Sequence, residues 1–185
     1  MPNSIGGAMT VKLVILDLDR TLWDHHNVTE LRAPFTRIDA QTATDATGVH
    51  LRLQPGARAL LDTLRERGIL ISIASWNEPA PTFAILEALG LRDYFVHPKV
   101  EFHPYKERMV SDLVRELSDK GVRLRPEEIL YIDDRALHLR RVRLTLGPVQ
   151  TLRAGVDIRD LHDVIDYLDR GDPASTHSPV TAEDG

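Results

Sequence analysis

The sequence predicts an α/β fold in three layers: a parallel sheet with helices on both faces and one small insertion. Three observations predict it. Short apolar runs at 11–16, 69–74 and 129–132 have the length and content of buried strands. Between them lie stretches whose apolar residues recur at three and four, the spacing of amphipathic helices. Polar residues then cap the three runs: Asp17 and Asp19, Ser75, and Asp133 with Asp134. Strands alternating with helices imply right-handed crossovers, which make the sheet parallel and bring every strand's carboxyl end to one edge.

Residues 1–10 read as a flexible lead-in of small and polar residues, with Met9 an alternative start. The first strand, 11–16, runs into Asp17 and Asp19. Residues two apart on a strand share a face, so these two carboxylates tend to project together. Residues 22–54 show no sustained helical period. Two short candidate strands there, 37–41 and 49–53, flank the turn-rich TATDATG, so the stretch predicts a hairpin-bearing insertion, a minimal cap over the site. An unstructured loop of that length is unusual in a compact domain unless it is functional.

Pro55 and Gly56 open a helix over 57–67, in which Ala57, Leu60, Leu61 and Leu64 form one face before Gly68 stops it. The second strand, 69–74, ends at Ser75, Trp76 and Asn77. Pro79 and Pro81 fit only at a helix start, and that helix runs to Leu89 with Gly90 as its cap. A third strand is expected at 94–97, then a loop over 98–104. A helix from about Tyr105 carries Met109, Val110, Leu113, Val114 and Leu117 on one face. The fourth strand, 129–132, ends at Asp133 and Asp134. A helix over 135–144, a strand at 149–152 and a last helix over 158–168 complete a single domain spanning 11–170. The polar tail 171–185 predicts disorder.

Composition narrows the function. The 185 residues are 42% hydrophobic and 28% charged, ordinary for a globular chain with room for a real core. A formal net charge of -5 opposes a nucleic-acid partner, which would call for a basic surface. With no cysteine there are no disulfides and no thiolate metal sites. No stretch is apolar for long enough to cross a membrane, and the first residues lack the features of a signal peptide. A cytoplasmic enzyme or binding protein is the expectation.

Asp17, Asp19, Asp133 and Asp134 should meet at one sheet edge, where open α/β sheets place their ligands. Like charges at about 4 Å and an effective dielectric near 20 repel by about 4 kcal/mol per contact, so a cation must offset them. A small set of oxygen ligands suits Mg²⁺, which keeps several waters and is completed by substrate phosphate. Lys106, opening a helix after a loop, supplies a second compact positive charge and is preferred over Lys99, which lies inside the loop.

Here the pattern resembles a known group. Asp17-Leu18-Asp19-Arg20-Thr21 matches the DxDxT motif of the haloacid dehalogenase-like hydrolases, and Ser75, Lys106 and the Asp133-Asp134 pair follow in that superfamily's order. More narrowly, DLDRTLW, an insertion, LQPGARALLDTLRERG, SIASWNEP and YIDDR look like the magnesium-dependent phosphatase-1 family, over about residues 11–156. The resemblance implies a Rossmann-like fold and a phosphatase acting on a phosphate monoester. Asp17 would be the nucleophile, forming an aspartyl-phosphate. Asp19 would be the general acid and then the base. Mg²⁺ would be held by carboxylate oxygens of Asp17 and Asp133 and the backbone carbonyl of Asp19, with Asp134 behind them or bound through water. Ser75, backbone N–H groups at Leu18 and Trp76, and Lys106 would receive the phosphoryl group.

A minimal cap leaves the site open, so a phosphorylated small molecule such as a sugar phosphate and a phosphoprotein carrying phosphotyrosine are both admissible partners. A phosphotransferase or mutase on the same scaffold, a catalytically silent regulatory module and a receiver-type phospho-acceptor are the alternatives. The short insertion opposes a mutase, the intact Asp17 and Asp133 oppose a silent module, and the acid at Asp19 opposes a receiver. Thr21 either caps the turn or serves the site. Trp23 reads as a core anchor. The histidine spacings fit no zinc motif.

Overall fold

The structure, a computed structural model, describes residues 10–171. Its centre is a five-stranded, all-parallel sheet of β1 (Leu13–Leu16), β5 (Leu70–Trp76), β6 (Lys99–Glu101), β7 (Ile129–Asp133) and β8 (Gln150–Arg153) in the order β6-β5-β1-β7-β8. Five helices cover it: α1 (Ala57–Glu66), α2 (Pro79–Ala88), α3 (Lys106–Asp119), α4 (Ala136–Leu146) and α5 (His162–Gly171). This is the three-layer architecture expected from the sequence.

Strand alternation sorts the residues into two cores. Val14 and Leu16 face one side with Ile71, Ile73, Leu130 and Ile132, packing on Leu60, Leu61 and Leu64 of α1, Ile85 of α2 and Val164 of α5. Leu13 and Ile15 face the other with Tyr131, packing on Met109, Val110 and Leu113 of α3 and Val142 of α4. A central strand buried on both faces is why β1 is a continuous apolar run rather than an alternating one. Gly56, which opens α1 with φ +81°, meets α5 so closely that a Cβ there would lie 2.6 Å from the His162 backbone nitrogen.

The insertion is a three-stranded antiparallel sheet, β2 (Thr36–Arg37), β3 (Thr42–Thr44) and β4 (His50–Arg52), in that order. This corrects the expected hairpin at 37–41 and 49–53, since TAT is the middle strand and the turn is confined to DATG. The threonines favour extended backbone. Asp45 closes the turn, accepting from the Thr47 and Val49 N–H groups at 2.8 and 2.9 Å. The base of the insertion is laced: Asp24 N–H donates to Arg52 O (2.9 Å), Arg52 N–H to Asp24 Oδ1 (2.8 Å) and Gln54 N–H to Leu22 O (2.9 Å).

Two further expectations shift. The strand placed at 94–97 is instead a short helical turn, Arg92–Tyr94, and pairing with β5 falls at Lys99–Glu101, inside the supposed loop. Val96 already touches β5, its N–H donating to Ile71 O at 2.8 Å, but His97 takes a left-handed φ of 44° and breaks the extended run. The last helix starts at His162 rather than 158, because Asp160 caps it, accepting from His162 N–H at 2.8 Å. Gly171, taken as the first tail residue, ends α5. The lead-in 1–9 and the tail from 172 lie outside the described residues. Among those described, no helix is long and apolar enough to cross a membrane.

Candidate active site

Register decides what meets at the carboxyl edge. Leu16 is level with both Ile73 and Ile132, so Asp17, Ala74 and Asp133 come next side by side. Asp17 N–H donates to Ile132 O at 2.9 Å, which locks that alignment one residue past the strand. Parity then sets direction. Asp17 follows Leu13 and Ile15, and Asp133 follows Tyr131, so both carboxylates turn toward α3, whose first residue is Lys106.

The Lys106 ammonium sits among them, 2.5 Å from Asp17 Oδ1, 3.4 Å from Asp133 Oδ2 and 2.6 Å from Ala74 O. All three side chains are almost wholly buried. Burial pulls the lysine toward neutrality, but the charges of Asp17 and Asp133 outweigh it and hold the ammonium above its ordinary range. Asp17 is pushed from 3.8 up to about 7, by burial first, with Lys106 opposing and Asp133 reinforcing. Tyr131 donates its hydroxyl to Asp133 Oδ2, and burial drives that phenol well above its usual value. Arg135 N–H binds Asp133 Oδ1 at 2.8 Å. Thr21 is buried and its hydroxyl faces Asp17 Oδ2 at 3.4 Å, so it caps the turn and borders the site at once.

A cavity of about 540 Å³ opens above this cluster. Asp17, Asp19, Trp76, Lys106, Asp133 and Asp134, all singled out from the sequence, line it. Lys99 instead lies on β6 and pairs with Glu116 of α3. Leu18 and Ser75 reach the same edge, but their side chains are fully buried. Neither residue is among those that line the cavity. Ser75 Oγ accepts from Asn77 Nδ2 at 3.0 Å.

Asp19 is held from two sides. Trp23 Nε1–H donates to its Oδ1 at 2.8 Å and Asn77 Nδ2–H to its Oδ2 at 2.9 Å. Between Asp19 and Trp23 the chain reverses through Arg20, in a left-handed φ of 57°. Trp23 is indeed buried, as expected of an anchor, yet its polar edge belongs to the site. No motif in the sequence marks Tyr131, Phe102 or His138, and Asn77 is marked only as the residue that follows Ser75 and Trp76. Tyr131 was legible in principle, being two residues before Asp133 on one strand. His138, in the first turn of α4, lines the cavity, is buried, and has an Nδ1 without a partner among the described residues. Burial keeps its imidazole below the usual value.

The residues present suit a hard divalent cation. Asp17, Asp133 and Asp134 each offer a carboxylate oxygen within 4.8 Å of the others. Three carboxylates there face the single ammonium of Lys106, and burial first, then the charge of Asp133, raises Asp134.

A family model described as acid phosphatase matches residues 9–147. The N-terminal part of a Bacteroides fragilis protein, containing a phosphatase domain and complexed with Mg, is 18% identical at a TM-score of 0.56; the match covers 86% of this chain and 39% of that one. A HAD-superfamily hydrolase from Geobacter sulfurreducens is 15% identical at a TM-score of 0.58, over 90% of this chain and 100% of that one. CbbY from Rhodobacter sphaeroides, in complex with phosphate, is 15% identical at a TM-score of 0.57, over 81% and 89%. Among curated proteins no match was found. With three quarters of its length matched by one family model and its strand ends folded into a single acidic cavity, the chain belongs to the acid phosphatase family and carries the fold of the HAD-superfamily hydrolases.

Proposed function

We propose that this protein is a phosphatase of the magnesium-dependent phosphatase-1 type, hydrolysing a phosphate monoester through an aspartyl-phosphate on Asp17. One observation carries the reading: Asp17 and Asp133, distant in sequence, share one buried lysine at the floor of an open cavity. The domain is residues 11–170, with 22–54 as its minimal cap.

Asp17 attacks phosphorus with a carboxylate oxygen, and the bond to the leaving oxygen breaks as Asp19 gives that oxygen a proton. Asp19 then takes a proton from water, whose oxygen displaces phosphate from Asp17 and restores the carboxylate. Lys106 orients Asp17 and offsets charge on the phosphoryl oxygens. Ser75 would hydrogen-bond the same oxygens, helped by the N–H groups of Leu18 and Trp76. Mg²⁺ would be held by Asp17, Asp133 and the Asp19 carbonyl, with Asp134 at its edge. Bound there, it neutralises the repulsion between an anionic nucleophile and a dianionic ester.

Trp76 and Phe102, both well exposed, flank the cavity, which favours an aryl group such as a phosphotyrosyl side chain. A sugar phosphate is the second reading, supported by the Rhodobacter sphaeroides CbbY bound to xylulose-1,5-bisphosphate. A mutase needs its phosphoryl group shielded from water under a closing lid, and the short insertion beside an open cavity speaks against one. The test is hydrolysis of p-nitrophenyl phosphate with and without Mg²⁺. Asp17→Asn is expected to be inactive, and Asp19→Asn to fall by about 10²–10⁴-fold. Activity indifferent to chelator, or surviving in Asp17→Asn, would remove the mechanism.

A further inference from the structure

We propose that Trp23 and Asn77 are positioning residues for the acid–base step, together fixing the plane in which the Asp19 carboxyl meets the reacting oxygen. The inference rests on the reading of Asp19 as the acid and base, and it assigns a task to the insertion beyond covering the site.

The clamp is complete in its hydrogen bonding. Trp23 donates its indole N–H to Asp19 Oδ1 at 2.8 Å, and an indole can only donate. Asn77 donates one amide hydrogen to Asp19 Oδ2 at 2.9 Å and the other to Ser75 Oγ at 3.0 Å. Its carbonyl oxygen accepts from Thr29 Oγ1 at 3.0 Å, and Thr29 Oγ1 in turn accepts from Glu78 N–H at 3.1 Å. Flipping the Asn77 amide would aim its oxygen at the Asp19 carboxylate, so the network sets its orientation. Trp23 and Asn77 are both fully buried, and donors held this way do not wander.

A carboxylate oxygen has two lone-pair sites. The clamp occupies one on each oxygen and leaves one on each for the proton in flight. Asp19 itself lines the cavity, so the remaining sites are the ones a leaving alcohol or a water meets. The three supports come from separate places: Trp23 from the foot of the insertion, Thr29 from its short turn Val28–Glu30, and Asn77 from the loop between β5 and α2. The aim of Asp19 is therefore set by how the insertion seats on the sheet edge. A misplacement of about 1 Å in such a group can cost about 10²-fold in rate.

The test uses the full chain with Mg²⁺ and a series of aryl phosphates from p-nitrophenyl to phenyl and on to an alkyl phosphate. It reads kcat/KM, which reports the steps up to release of the leaving alcohol. Good leaving groups depart without a proton and poor ones need it, so a displaced acid steepens the dependence on the leaving group. Trp23→Phe keeps the ring and removes the N–H; Asn77→Ala removes the other donor. Both are expected to lose about 10²-fold on the alkyl phosphate and less than about tenfold on p-nitrophenyl phosphate, mostly in kcat with KM little changed. Thr29→Val, at a half-buried position, is expected to shift the dependence in the same direction by less, and it keeps the test open if Trp23→Phe folds poorly. Equal losses on every substrate, or none, would overturn the clamp. If Asp19→Asn steepens the dependence while the clamp variants do not, only the clamp falls. If Asp19→Asn also leaves it flat, the acid–base reading of Asp19 falls with it.

Discussion

Lys106 Nζ lies 2.5 Å from Asp17 Oδ1, a nearly buried ion pair at the floor of the cavity between β1 and α3. Removing one partner of a buried pair leaves an uncompensated charge and costs about 3–5 kcal/mol. Lys106→Met should therefore abolish phosphatase activity and lower the urea midpoint markedly at about pH 8. The penalty should shrink toward about pH 5, where Asp17 can take up a proton instead. Urea titrations at the two pH values check both halves.

Asp17 should also make the metal-free protein less stable as pH rises. Its carboxyl moves from 3.8 to about 7 on folding, through burial above all. Above 3.8 the unfolded chain has lost a proton that the folded chain still holds, so stability falls across that window and levels off beyond about 7. Asp17→Asn removes the slope. In chelator, its melting temperature should stay level from about pH 4 to about pH 7 while that of the wild type falls; the comparison is of slopes, because the variant also leaves the buried Lys106 with only its 3.4 Å contact to Asp133.

Mg²⁺ should be lost in graded fashion across the acidic cluster. Asp134→Asn is expected to raise the Mg²⁺ concentration for half-maximal activity by about 10–100-fold, the usual cost of disturbing the groups around a metal's ligands. Asp133→Asn should cost more, since Asp133 also receives Tyr131 and Arg135 N–H. Mg²⁺ titrations of activity, and calorimetric Mg²⁺ titrations of each variant in the absence of substrate, separate affinity from rate.

Glu128 should produce the opposite pH slope in a lower window. Lys12 and the Arg125 N–H hold its carboxyl down from 4.5 to about 2. Below 4.5 the unfolded chain takes up a proton that the folded chain refuses, so stability is lost as pH falls from about 4.5 to about 2. Glu128→Gln should flatten that acid limb in thermal melts without changing activity near neutrality, because Glu128 sits at the far end of β7 from the cavity.

Four of the five strands of the parallel sheet and the gathering of Asp17, Asp19 and Asp133 were legible because each rests on local chemistry: apolar runs, breakers and carboxylates at run ends. Lys106 was legible from its place at a helix start. What the sequence hid depends on backbone reversals and tertiary seating. His97 breaks an extended run that Tyr94 to Val96 seemed to begin, because its φ is positive. The TAT segment looks like turn material until its threonines pair with β2 and β4. Trp23 reads as pure core because burial is the usual fate of tryptophan, and nothing in the chain announces that its N–H meets Asp19. Asn77 is 58 positions from the carboxylate it holds, a distance no periodicity spans.

The lacing of Asp24, Arg52, Gln54 and Leu22 ties the two ends of the insertion together at its foot, and the cavity stands open beside it. Under the proposed mechanism, bulk liquid then reaches the phosphorylated Asp17 through the whole turnover, and the acceptor is chosen by abundance rather than by a gate. Simple alcohols mixed into the medium should intercept the phosphoryl group in proportion to their share of the solvent. Selectivity in such a catalyst resides wholly in which donor ester it admits, and the identity of the second reactant is left to the surroundings.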